Sequence, residues 1–212
     1  VKDLYLLRWI SIGTILGGLV AAGAMALSTL PINAGGVLII CALIVLNIFL
    51  VLSGLVTERK ERVSLFVLSF PISRMQYVAA KVAANAIAFF VPWLILTAAV
   101  AAAILWSAIP NGYLPLWIAI LGYLLFYYCV LLGVGLNTDS NAWHAAAVIV
   151  GNVSANFMIM LLFGLPSVRR FGEGETAVWA PDILAVTAGE IALGLAVLAI
   201  AIRITSRRPD FI

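Results

Sequence analysis

Few side chains in this sequence are suited to chemistry. His144 is the only histidine, and it follows Asp139 and Ser140, which are placed to cap a helix. A catalytic histidine needs a nucleophile and an orienting group within reach, and no such set adjoins it. His144 therefore reads as a residue at a membrane–water interface. Ser53 precedes Gly54, but Leu-Ser-Gly-Leu lacks the glycine that an intramembrane serine protease places before its serine. No cluster of His, Cys or carboxylate residues has the spacing of a metal site. No Gly-x-x-x-x-Gly-Lys-Ser/Thr loop is present, so this chain does not hydrolyse ATP by itself. Cys41 and Cys129 both fall in apolar runs and read as small buried hydrophobes.

Three of the polar residues in or near apolar runs are candidates for a role. Asn152 and Asn156 are one helical turn apart and share a face. They suit interhelical hydrogen bonds, with the lining of a translocation path as the alternative. Glu190 has two readings. If the last apolar span starts at Ile183, Glu190 lies inside the membrane, where acids are costly and often functional, on a substrate path or a gate. If the span starts near Glu190 itself, the residue is interfacial.

The elements that carry these residues follow from composition. The chain has 212 residues, 65% hydrophobic and 10% charged, with mean hydropathy +1.18. A soluble domain has about one quarter charged residues, so the solvent here is lipid. A bilayer core about 30 Å thick needs about 20 apolar residues per helix. Six stretches qualify: Trp9 to Thr29, Gly36 to Val56, Ala79 to Trp106, Leu116 to Leu136, Trp143 to Leu165 and Ile183 to Ile202. Strands are excluded, because no segments alternate as a barrel requires. The expected fold is an all-α integral membrane domain over residues 1–212, with six transmembrane helices. Gly13, Gly17 and Ala21 form a small-residue stripe suited to close helix packing.

Lys and Arg set the orientation. With the amino end cytoplasmic, ten basic residues lie inside, and only Arg169 and Arg170 lie outside. Both termini are then cytoplasmic. Trp9, Trp106, Trp117, Trp143 and Trp179 fall near span ends, as aromatic belts do. The basic pI of about 9.1 thus follows topology, and nucleic acid is not an expected partner.

The connection between the second and third spans holds the densest charge. Glu58, Arg59, Lys60, Glu61 and Arg62 are consecutive. Val63 to Phe70 follows with an apolar stripe at helical spacing, too short to span, and Pro71 ends it. This predicts a short helix on the inner face. Ser73 and Gln76 have capping-box spacing, so the next helix begins there. From Arg74 to Trp106 it is about 48 Å long, and its first turns project into the cytoplasm. One reading of the loop is ordinary topology charge. The other is a docking element for a soluble partner.

Here the sequence resembles the type-2 family of ATP-binding-cassette (ABC) transporter permeases, mainly bacterial exporters. The resemblance lies in Lys2-Asp-Leu-Tyr-Leu-Leu-Arg8, in Glu58-Arg-Lys-Glu-Arg62, in Leu68-Ser-Phe-Pro-Ile-Ser-Arg-Met-Gln-Tyr-Val-Ala-Ala-Lys81, and in the number and order of spans. It implies a permease in the bacterial inner membrane that pairs with a second permease copy. It also implies two cytosolic ATPase subunits that carry ATP and Mg, and transport by alternating access. On the same resemblance the loop is the coupling helix. Glu58, Arg59, Lys60, Glu61 and Arg62 lie at the ATPase contact, and Pro71, Ser73 and Arg74 shape the return into the third span. Lys2 to Arg8 resembles the end of an interfacial helix. Many members of the family carry half-buried helices between the last two spans, whereas Pro166 to Asp182 here is short and polar. Asp182 to Gly189 is a candidate for such an element. No long extracellular domain is present. Other readings are a membrane scaffold or assembly factor, an intramembrane enzyme using His144, and a secondary transporter.

Overall fold

The computed structural model describes residues 2–53, 74–138 and 140–207. Among them the chain is helical and contains no strand. Lipid offers backbone groups no hydrogen-bond partners, so a spanning chain must satisfy them within its own helices. Six helices are long and apolar enough to cross a membrane. They are α1 (Lys2–Ala26), α2 (Ile32–Val51), α3 (Arg74–Leu105), α4 (Leu114–Asn137), α5 (Asn141–Gly164) and α7 (Pro181–Arg207). A short α6 (Pro166–Phe171) lies between α5 and α7, and a 3-10 turn at Asn111–Tyr113 precedes α4.

The helix ends follow local chemistry. Ser28 takes a left-handed φ of 56° just past α1, a position glycine usually fills after a helix. The Thr29 hydroxyl and the amides of Thr29 and Leu30 all donate to the Ala24 carbonyl, which closes the turn. Pro31 then caps α2. α3 runs through Pro92 as one helix of 32 residues. Its apolar part begins at Ala79, after the helical residues 74–78. Two expectations change. Lys2 to Arg8 is not a separate element but the continuous start of α1. Asp182 to Gly189 is not one either, since α7 is unbroken from Pro181. The predicted short helix at Val63 to Phe70 lies outside the described residues.

α4 is the hub. Of its span 78% is buried, against 17% for α5. α7, α5, α2 and α3 all pack on α4, while α1 packs on α3 and α2. The first-span stripe does not work as expected within one chain. Gly13 and Gly17 face outward and meet nothing within 4 Å. α1 closes instead at Gly18, whose missing Cβ leaves room for Leu96 of α3. Trp117 is not a belt residue: it is buried, with its ring over Gly36 of α2. Trp9, Trp106, Trp143 and Trp179 are exposed as a belt requires. Cys129 is buried but Cys41 is exposed, because it lies on the outward face of α2, where lipid takes the place of a protein core.

One end of the bundle is closed by loops. Gly112 donates its N–H to the Gly174 carbonyl at 2.9 Å. A Cβ on Gly112 would sit 1.9 Å from the Phe171 carbonyl oxygen, which is rigid backbone. Gly112→Ala is therefore expected to destabilise the protein by about 1–3 kcal/mol through overpacking. Gly164→Ala, at a position with open space, is the neutral control. Thermal melting of both variants in detergent checks this.

Candidate functional site

Polar side chains inside an apolar bundle are costly unless paired, so their partners show which contacts the fold protects. α4 carries a tyrosine at 123 and two more one turn later, at 127 and 128. Tyr123 and Tyr127 face α5. The Tyr123 hydroxyl reaches the Gly151 carbonyl at 3.0 Å and Ser154 Oγ at 2.5 Å. The Tyr127 hydroxyl donates to the Val148 carbonyl at 3.3 Å. Gly151 makes the approach feasible, since a Cβ there would lie 1.9 Å from the Tyr127 ring.

Tyr128 faces the other way. It donates to Asn85 Oδ1 at 3.0 Å, and Asn85 Nδ2 donates to the Leu50 carbonyl at 2.9 Å. Phe89 stacks on the Tyr128 ring at 4.1 Å, almost parallel. One chain of contacts thus ties α4, α3 and the end of α2. Trp93 Nε1 adds a bond from α3 to the Leu121 carbonyl of α4 at 2.9 Å. A last clasp joins the C-terminal ends of α4 and α7. Asn137 Nδ2 donates to the Gly133 and Ala201 carbonyls, and the Thr205 hydroxyl donates to Asn137 Oδ1 at 3.2 Å. None of these partnerships is visible in sequence. The available signal was tyrosine at mid-span, away from the interfacial belt.

The sequence-predicted residues fall into three groups. Glu58, Arg59, Lys60, Glu61, Arg62, Pro71 and Ser73 lie outside the described residues, and Arg74 opens α3. Asn152 is half-buried on α5. Its amide donates to the Val148 carbonyl of its own helix at 2.8 Å and reaches the Tyr127 hydroxyl at 3.4 Å. Asn156 is exposed and donates to the Asn152 carbonyl at 2.9 Å. Glu190 lies within the apolar stretch Pro181–Thr205 and is 4% exposed. Neither of its carboxyl oxygens has a hydrogen-bond partner among the described residues. It points at α4 where Gly122 leaves room: a Cβ there would lie 3.1 Å from Glu190 Oε2. The two asparagines and Glu190 therefore do not share one surface. α4 stands between them, with Tyr123 on the α5 side and Gly122 on the α7 side.

His144 occupies the first turn of α5 but points inward and is buried, beside Ile48, Val51, Leu131 and Val148. Its Nδ1 lies 2.7 Å from the Ser140 carbonyl. Ser140 is the N-cap of α5 but makes no side-chain cap bond, and Asp139 lies outside the described residues. The imidazole is held by its own helix start, and among the described residues no nucleophilic side chain is bonded to it. Among the described residues no group of three His, Cys, Asp or Glu side chains comes together. At the opposite end Asp182 ties α6 to α7, taking the Ser167 N–H at 3.2 Å and the Ile183 N–H at 2.9 Å.

No family model, no curated protein and no solved structure matches this chain.

The buried polar set makes opposite predictions for two variants. Tyr128→Phe strands the Asn85 oxygen and is expected to lower stability by about 1 kcal/mol, the usual scale for hydrogen bonds between membrane helices. Glu190→Met removes a buried carboxyl with no partner among the described residues and is expected to raise stability by about 1–3 kcal/mol. Melting curves of the two purified variants against wild type read both signs.

Proposed function

We propose that this chain is the membrane-spanning permease subunit of an ATP-driven exporter, working with a separate cytosolic ATPase by alternating access. The observation that carries the reading is the helix order around the charged connection. Two apolar helices, α2 and α3, flank residues 54–73, and the described part of α3 includes residues 74–78 ahead of its apolar part. A segment with five consecutive charges is thereby anchored at both ends to spanning helices. That is what a lever between a soluble motor and a membrane bundle requires. In this reading Glu58 to Arg62 contact the ATPase, and Pro71, Ser73 and Arg74 pass its motion to α3. The ATPase holds the ATP and Mg.

Pairing with a second permease copy has its own support. α5 is the least buried span, and α1 turns Gly13 and Gly17 outward with nothing against them among the described residues. Glycines four apart let two helices approach closely in lipid. A path between two copies would then be lined from the bare side of α5, where Asn156 is exposed and Asn152 lies one turn away. Glu190, enclosed behind α4, would act as a gating residue through helix packing and not as a wall of the path. The excess of Lys and Arg at the charged connection and the two termini supports a cytoplasmic side for these in the proposed bacterial inner membrane.

A scaffold without transport is the competing reading. The test co-expresses the chain with ABC ATPases encoded beside it and measures co-purification and ATP hydrolysis in reconstituted vesicles. The expected outcome is a stable complex whose ATPase rate falls at least about tenfold in the Glu58→Ala, Arg62→Ala double variant, the scale of a lost charged contact near 1.4 kcal/mol. A chain that recruits no ATPase, or a double variant with unchanged assembly and rate, contradicts the proposal.

A further inference from the structure

The exposed side of the α4–α7 pair carries a groove with a volume of about 590 Å³. That is within the range of small-molecule sites. Its floor is low because Gly133 and Ala201 are small, and a Cβ on Gly133 would sit only 3.2 Å from the Ala201 methyl. Val130, Val134, Val197, Ile200 and Ile204 form the walls. Its polar residues, Asn137 and Thr138, lie together at one end, beside the exposed Trp143. The Asn137–Thr205 clasp fixes the two helices there, so the groove is built into the fold.

Depth in the bilayer follows from the helix ends. α4 ends at Asn137 and α5 starts at Asn141, both at the polar end of the groove. Unsatisfied backbone groups at helix ends are not tolerated in hydrocarbon, so this end lies at headgroup level. From Thr138 back to Val130 the groove descends about 12 Å at 1.5 Å per residue. That is most of one leaflet of a core about 30 Å thick. Charge is placed at the upper end. Arg203 is exposed beside Ile204, one turn on from Ile200.

We infer that this groove is a binding site for one anionic phospholipid, with an acyl chain between α4 and α7 and its phosphate at the Asn137–Arg203 end. An apolar trough one leaflet deep fits a chain, and a second transmembrane helix would not need a cationic, polar upper end. The inference does not depend on the transport reading. It needs only that α4 and α7 span the membrane.

The full-length protein is purified from its membrane, stripped with detergent, and exposed to phosphatidylglycerol or phosphatidylcholine with the same chains. Native mass spectrometry reads the bound lipid. Wild type is expected to retain one phosphatidylglycerol in preference to phosphatidylcholine. Ile200→Trp fills the groove from its outer wall and is expected to abolish retention. Leu195→Trp, an exposed residue on another face of α7, is expected to leave it unchanged. Arg203→Gln is expected to cut the headgroup preference about fivefold, the effect of one basic residue at an anionic surface, and it tests the proposal even if Ile200→Trp does not fold. Equal retention of the two lipids by wild type overturns the proposal. So does unchanged retention in a folded Ile200→Trp variant, or a dimer mass that Ile200→Trp removes, which would mean that a second copy fills the groove.

Discussion

The structure depends on the near-complete enclosure of α4. Lipid is as apolar as the side chains it meets, so burial from water does not draw spanning helices together. Close packing and buried hydrogen bonds must do it. α4 supplies both. Its small residues, Gly122 and Gly133, let α7 come near. Its tyrosines at 123, 127 and 128 bond to α5 and α3, and Asn137 clasps the end of α7. α3 binds it through Trp93, and α2 offers Gly36 to the Trp117 ring. Only α1 stays away, held through α3 and α2.

That enclosure gives the polar residues of the spans different meanings. Asn85 and Tyr128 are paired, and both are buried structural groups. Asn152 and Asn156 mainly satisfy their own helix, which leaves the face of α5 weakly committed within one chain. Glu190 differs: like Asn47 of α2, it is enclosed with no hydrogen-bond partner among the described residues. Such a carboxyl costs about 1–3 kcal/mol that packing alone does not explain. In the proposed permease, a residue that strains the α4–α7 contact suits an element that must shift between two arrangements.

The number and approximate ends of the spans were legible in the sequence, because lipid imposes length and apolarity on each helix separately. Which face of each helix turns inward was not. In water an amphipathic stripe marks the core. In lipid the inner and outer faces are equally apolar, and the stripe vanishes. Hence Cys41 was expected inside and lies outside, while Trp117 was expected in the belt and lies inside. His144 was read as an interfacial residue, and its inward direction against Ile48 and Leu131 was not legible. The uninterrupted α7 was hidden for a different reason. Glu190 looks like a boundary residue until Gly122 on α4 is seen to receive it.

The enclosed hub, the bare faces of α1 and α5 and the anchored charged connection are combined in one proposed orientation, with residues 54–73 facing the ATP-containing compartment. Single cysteines placed at Arg62 and at Glu175, in a chain carrying Cys41→Ala and Cys129→Ala, test this most directly. Labelling uses a membrane-impermeant maleimide on intact cells. The account predicts that the cysteine at 175 is labelled from outside and that the one at 62 reacts only after the membrane is permeabilised. Labelling of position 62 on intact cells, with position 175 protected, would contradict it.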